Sequence, residues 1–214
     1  MSFSLAISDF RTPFKKNSLL IGMVLTFVLL WASTLFQTTD LNNWFLENLL
    51  VILFLSVLSL TYSRYKFSDL SYLMIFVYLC LHIHGAMHTY AEAPIGYWLS
   101  DALSWSRNNY DRIVHFSFGF LLAYPMREVF LNILKVKRWV AWLLPMEITL
   151  SFSGMYEIIE WSVADLFFPE QGVAYLGTQG DIWDAQKDMA LAFLGSILIT
   201  IIVLAIRKAW RIET

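Results

Sequence analysis

The chain has 214 residues, of which 58% are hydrophobic and only 15% charged, and it carries a formal net charge of −2. Ordinary globular chains run at roughly 45–50% and 25%, so a soluble fold would be left with more apolar surface than it could hide, and lipid is the expected solvent. The charge balance excludes a nucleic-acid partner, which calls for a concentrated basic face, and with Cys80 as the single cysteine no internal disulfide can form.

Six apolar stretches follow one another. Ser18–Phe36 comes after Lys15 and Lys16; its apolar core is longer than that of a secretion signal and no small-x-small cleavage pattern follows, so it is expected to remain as a helix. Trp44–Tyr62 and Leu70–His88 are the next two. Asp111–Phe130 carries Pro125, Arg127 and Glu128 near its end and is the least simple span. Trp139–Phe167 is long enough to tilt, or to bend at Pro145 or Gly154. Trp183–Ile206 closes the set. Each approaches or exceeds the roughly 20 residues that cross a 30 Å hydrocarbon core. The expected fold is therefore all-α, a polytopic membrane protein with about six transmembrane helices, residues 1–214 forming a single integral membrane domain.

Cations set the direction. Twelve of the fifteen Lys and Arg residues fall on alternate connections: Arg11, Lys15 and Lys16; Arg64 and Lys66; Arg127, Lys135, Lys137 and Arg138; Arg207, Lys208 and Arg211. Arg107, Arg112 and Lys187 are left on the other side. The positive-inside rule then puts both termini in the cytoplasm and the chain, multi-pass, in a bacterial inner membrane. Two outer connections are unusual. Residues 89–110 hold Pro94, Gly96, Tyr97, Trp98 and Trp105, which suits a segment on the bilayer surface; residues 169–183 hold Gly172, Gly177 and Gly180, where the backbone can turn sharply.

An ionisable group inside a membrane costs roughly 2.5–3.5 kcal/mol at mid-helix, so each one requires a reason. Followed in the assigned directions, the third helix ends outward with His82, His84 and His88, and the fourth opens with Asp111 and His115. The fifth carries Glu157 and Glu160 in its outer part, with Asp165 beyond, and the sixth begins with Asp181, Asp184 and Asp188. All belong to the outer half. His84 and His88 are four apart, as are Asp111 and His115, and each pair shares a helix face. Asp181, Asp184 and Asp188 follow i, i+3, i+7. Carboxylates crowded on one face repel unless protonated, paired or bridged by a cation, and oxygen-rich sites with a few imidazoles suit Mg²⁺ or Mn²⁺, or Zn²⁺ where the imidazoles dominate.

Each residue also has a plainer reading. Asp181 and Asp184 suit a helix N-terminus, His82 an interhelical hydrogen bond, Asp111 a cap that pairs with Arg112 or Arg107, Glu47 an outer helix end and Glu147 an interface. Glu157 and Glu160, set among apolar and aromatic residues, suit neither cap nor surface. No P-loop, G-x-S-x-G elbow, H-E-x-x-H or cysteine-based zinc pattern is present.

The run Tyr110-Asp-Arg-Ile-Val-His115-Phe, with Tyr156-Glu-Ile-Ile-Glu160-Trp and Gly177-Thr-Gln-Gly-Asp181-Ile-Trp-Asp184-Ala-Gln-Lys-Asp188, resembles the bacterial YjdF inner-membrane family. His82-Ile-His84-Gly-Ala-Met-His88-Thr-Tyr90 adds to the likeness, which covers nearly the whole chain. The resemblance implies the architecture and assigns no activity. A remoter similarity is to VanZ-like proteins, which often place asparagine at the position of Asp188 and glutamine at that of Glu160; both departures add negative charge.

The favoured expectation is a metal-dependent enzyme at the outer face acting on a lipid-linked, phosphate-bearing substrate. Asp111, His115 and Glu157 would serve catalysis, and His84, His88, Glu160, Asp181, Asp184 and Asp188 would hold the divalent ion (Mg, Mn or Zn). The alternatives are a proton- or ion-coupled transporter and a non-catalytic membrane partner whose polar cluster fixes helix packing. The lipid bilayer is the one partner implied by all three.

Overall fold

The structure, a computed structural model, describes residues 12–167, 176 and 178–210. Seven α-helices are found there: α1 (Ser18–Gln37), α2 (Leu41–Thr61), α3 (Asp69–Met87), α4 (Pro94–Leu103), α5 (Tyr110–Asn132), α6 (Val140–Phe167) and α7 (Asp184–Ala209). No strand occurs among the described residues. By length and composition, α1, α2, α3 and α7 are apolar enough to cross a membrane. The other two long helices have the length, at 23 and 28 residues, while α5 carries acids and arginines along it and α6 carries acids. The chain is thus an all-α, polytopic membrane protein.

Local chemistry sets most helix starts. Asp40 accepts from the amides of Asn42 and Asn43, so α2 begins three residues earlier than its apolar run. Asn17 and Ser68 cap α1 and α3 through Leu20 N and Ser71 N. Both internal prolines, Pro125 in α5 and Pro145 in α6, are accommodated within continuous helices. Residues 94–103, expected only to lie on the bilayer surface, form a helix with proline at its start. Gly96 and Ser100 face inward on α4, while Ile95, Tyr97, Trp98 and Leu103 are exposed, a pattern that suits an interfacial helix. Of the three glycines before α7, Gly180 takes φ +85°; Gly172 and Gly177 lie outside the described residues.

The bundle is polar within and apolar without. Leu25, Leu29 and Phe36 of α1 and Leu49, Leu53 and Leu60 of α2 are exposed, whereas Thr34, Asn43, Glu47, Asn48 and His82 are buried. Water would reverse this segregation; hydrocarbon produces it, since polar groups find partners only in the protein. Trp44 Nε1 donates to Thr34 Oγ1 at 2.9 Å, tying α2 to α1, and Asn17 Nδ2 donates to Asp69 Oδ1 at 2.7 Å, tying the start of α1 to that of α3.

Helix α5 is the centre, packed on α3, α6 and most extensively α7, while α1 and α2 attach through α3. The close fit of α5 to α7 rests on two glycines. A Cβ on Gly119 would stand 1.8 Å from the Ala192 carbonyl oxygen, and one on Gly195 would stand 2.2 Å from that of Phe116. The backbones therefore approach closely, which small residues allow in lipid-embedded bundles. Gly119→Ala is expected to lower stability by about 1–3 kcal/mol or more through overpacking, read as a drop in melting temperature in detergent. Gly22→Ala, at a site with nothing within 4 Å, is the control that leaves the melt in place.

Candidate functional site

Asp111 and His115 lie one turn apart on α5, Glu157 is on α6 and Asp188 is one turn into α7. The His115 Nε2 atom stands 3.6 Å from Asp111 Oδ1 and 3.4 Å from Glu157 Oε1, and Ser153 Oγ lies 3.5 Å from its Nδ1. One ligand atom from each of Asp111, His115 and Asp188 can be chosen so that all lie within 4.8 Å of one another. This is the one such set of three or more among the described residues. Asp188 is 2% exposed, and neither its Oδ1 nor Glu157 Oε1 has a hydrogen-bond partner among the described residues. The His115–Asp111 separation exceeds hydrogen-bonding range, so the pair forms no orienting hydrogen bond here.

Glu160 and Glu47 lie on the far side of Tyr156. The Tyr156 hydroxyl donates to Glu47 Oε2 at 2.9 Å and also engages Glu160, while its ring meets His115 at 5.9 Å between centroids. Glu47 is buried rather than a helix-end acid as its position in the sequence suggested, because it lies almost two turns inside α2, on the face turned to α6. Its carbonyl oxygen meets His82 Nε2 at 3.2 Å, and His82 Nδ1 meets the Tyr90 hydroxyl at 2.7 Å. His82 thus makes the interhelical contact expected of it. Thr89 and Tyr90 adopt left-handed φ values of 51° and 53°, a strained pair that turns the Tyr90 ring back beneath α3. Spacing offered no signal for Glu47, Tyr90 or Tyr156; the one hint was that each stands where burial requires a partner.

Asp181 and Asp184 are engaged differently. Asp184 Oδ1 accepts from Arg107 Nη1 at 2.6 Å and Arg112 Nη2 at 2.8 Å. Asp181 Oδ2 accepts from Arg112 Nη2 and Lys187 Nζ, each at 2.5 Å. Asp181 Oδ1 accepts from the Trp183 amide at 3.1 Å, forming a turn just before α7 rather than a cap on it. Gln179 pairs with both the amide and the carbonyl of Asn108, at 3.1 and 2.9 Å, and Arg107 Nη1 donates to Thr178 O at 3.1 Å. These contacts join the loop before α5 to the segment before α7. Together they line an open cleft of about 500 Å³ with Trp105, Arg107, Arg112, Gln179, Asp181 and Lys187 among its walls. The three cations that depart from the positive-inside distribution all meet here.

His84 and His88 form their own pair, ring centroids 5.0 Å apart, and His84 packs on Tyr110 at 5.3 Å. They stand outside the Asp111–His115–Asp188 set, as do Glu160, Asp181 and Asp184. Of the remaining acids, Glu147 and Asp165 are exposed.

A multi-pass helical membrane protein with an acid–imidazole cluster buried at one end is the class that fold and site define. The chain belongs to the family described as "Predicted membrane protein (DUF2238)", whose model matches residues 18–209. It is 36% identical over 192 residues to the inner membrane protein YjdF of Escherichia coli (strain K12), covering 89% of this chain and 90% of that one. No solved structure matches it significantly. It is accordingly an integral protein of the inner membrane.

Two outcomes test the geometry. Tyr156→Phe removes the donor to Glu47 and is expected to cost about 1–3 kcal/mol, visible as a lower melting temperature, with Tyr97→Phe on exposed α4 neutral. Lys187, followed by the Trp183 amide and Arg112, holds the Asp181 carboxyl well below the usual carboxylate range. A depressed folded value stabilises above the unfolded value of about 4 and is lost as pH falls further. Hydrogen exchange across residues 178–183 is therefore expected to accelerate only on strong acidification, and at higher pH once Lys187 is changed to Met.

Proposed function

We propose that this protein is an enzyme of the outer membrane face that binds a divalent cation at Asp111, His115 and Asp188 and acts on a lipid-linked, phosphate-bearing substrate. The observation that carries the reading is Asp188: 2% exposed, with an oxygen that has no donor among the described residues, and in range of a second carboxylate and an imidazole. A buried carboxylate in that setting needs a proton or a cation. Oxygen donors with one imidazole suit Mg²⁺ or Mn²⁺ over Zn²⁺. In this reading six helices cross the bilayer, both termini are cytoplasmic, and the cluster sits just beneath the outer surface.

The residues then divide by role. Asp111, His115 and Asp188 hold the ion, which polarises a phosphoryl oxygen when bound. Glu157, whose Oε1 has no hydrogen-bond donor among the described residues, takes the proton from an attacking water as the water oxygen bonds to phosphorus and the bond to the leaving group breaks. Arg107, Arg112 and Lys187 bring cationic donors to the adjoining cleft, where guanidinium groups suit phosphate oxygens. Asp181 and Asp184 hold those arginines in place, and Glu160, Glu47 and Tyr156 support the cluster from behind.

A proton- or ion-coupled transporter calls for acidic groups continuing through the bundle. The buried acid at the other end, Glu128, is instead occupied by the amide and hydroxyl of Ser68. Titration of Mn²⁺ or Mg²⁺ into detergent-purified protein, with elemental analysis, decides the matter. About one ion per chain is expected, with affinity falling about tenfold or more in Asp188→Asn and His115→Gln but not in His88→Gln. Wild-type protein that takes up none of Mg²⁺, Mn²⁺ or Zn²⁺ at millimolar concentration would leave the cluster as a packing device and end the enzymatic reading.

A further inference from the structure

The opposite end of α5 holds a second unusual group. Arg127 is 3% exposed, its guanidinium carbon lies 3.6 Å from the centre of the Trp142 ring, and its Nε has no hydrogen-bond partner among the described residues. An indole face attracts a cation but supplies neither a counter-charge nor a lone pair in the guanidinium plane. Arg207 of α7 and Arg138 of the connection before α6 are within electrostatic reach, and like charges raise the cost of burying the group. Glu128 is the acid in reach, yet one of its oxygens accepts from the Ser68 amide at 3.0 Å and the other from the Ser68 hydroxyl. Its charge is directed to the start of α3.

A buried guanidinium so placed calls for an anion. Tyr124, Arg127, Trp142, Pro145 and Thr200 line a half-open cavity with about 10 Å³ of free space, room for roughly one water and too small to swallow a phosphate group. An oxyanion would have to seat at the mouth, with one oxygen directed inward to the arginine. Depth points to the source: Arg127 lies five residues before the end of α5, about 7.5 Å along the axis, within reach of a lipid headgroup. In sequence, Lys135, Lys137 and Arg138 follow the end of α5 and Lys208 lies at the end of α7, the kind of basic cluster that concentrates anionic lipid.

We propose that Arg127 and Trp142, between α5, α6 and α7, form a binding site for the phosphate of an anionic phospholipid on the inner side of the membrane. The site lies about 18 Å along α5 from His115 and does not depend on the metal reading; lipid retention and metal uptake are separate measurements.

Native mass spectrometry of protein released from phosphatidylglycerol or phosphatidylcholine bicelles tests this, with inorganic phosphate in lipid-free detergent as a third arm. One phosphatidylglycerol retained per chain is expected, reduced about tenfold in Arg127→Gln and unchanged in Lys135→Gln, which removes a charge from the same end. An Arg127-dependent gain from inorganic phosphate alone, with no preference among lipids, would overturn the lipid assignment in favour of a free anion. Equal retention of phosphatidylglycerol by wild type and Arg127→Gln would overturn the site. Should that variant fail to fold, Arg127→Lys carries the test, because it keeps the charge but loses the planar fork and the ring stacking. Retention within twofold of wild type in that variant would equally reject the site.

Discussion

Everything in this bundle follows from the cost of leaving a polar group facing hydrocarbon. A carboxylate or imidazole on a lipid-facing surface has no water to turn to, so it must be neutral, paired or absent. The long helices respond in one way: leucine and phenylalanine face outward on α1 and α2, while Asn43, Glu47, Asn48 and His82 are buried. Helix α5 is the axis of this arrangement because it offers polar residues at both ends, Asp111 and His115 at one and Arg127 and Glu128 at the other, and a glycine where α7 must come close. Without that close approach, Asp188 could not reach the imidazole on the neighbouring helix.

At the end of the bundle where α5 and α7 begin, the polar groups sort into two neighbouring systems. Asp181 and Asp184 are neutralised by Arg107, Arg112 and Lys187, an arrangement that ties two loops together and leaves a polar cleft between them. One turn further into α7, Asp188 forms no ion pair with Lys or Arg among the described residues and lies near Asp111 and His115, with Glu157 beside the imidazole. Three residues separate Asp184 from Asp188, yet one is fully paired and the other keeps an oxygen without a donor among the described residues. That contrast distinguishes an ion pair that organises structure from a cluster with ligating capacity to spare.

Much of this was legible in the amino-acid order. Apolar runs of sufficient length announced the helices, because hydropathy reflects the transfer energetics of single side chains. The meeting of Asp111, His115, Glu157 and Asp188 at one end of the bundle followed from the order in which those helices run. Less legible were Glu47, Tyr156 and Tyr90, which have no tell-tale spacing: Glu47 is distinguished from a helix-end acid only by facing α6. The helix at Pro94–Leu103 was hidden within a stretch that composition marked only as interfacial.

What the sequence by itself determined is the class, an all-helical membrane protein whose histidines and most of whose intrahelical acids fall near the same helix ends, since hydropathy and charge act residue by residue. Which of those residues meet was decided by tertiary structure. Asp111 and His115 join Asp188 rather than Asp184 or Glu160 because the α5–α7 contact, set by Gly119 and Gly195, fixes the rotation of the two helices about their axes. Pairing across helices depends on that rotation, and no one-dimensional pattern contains it.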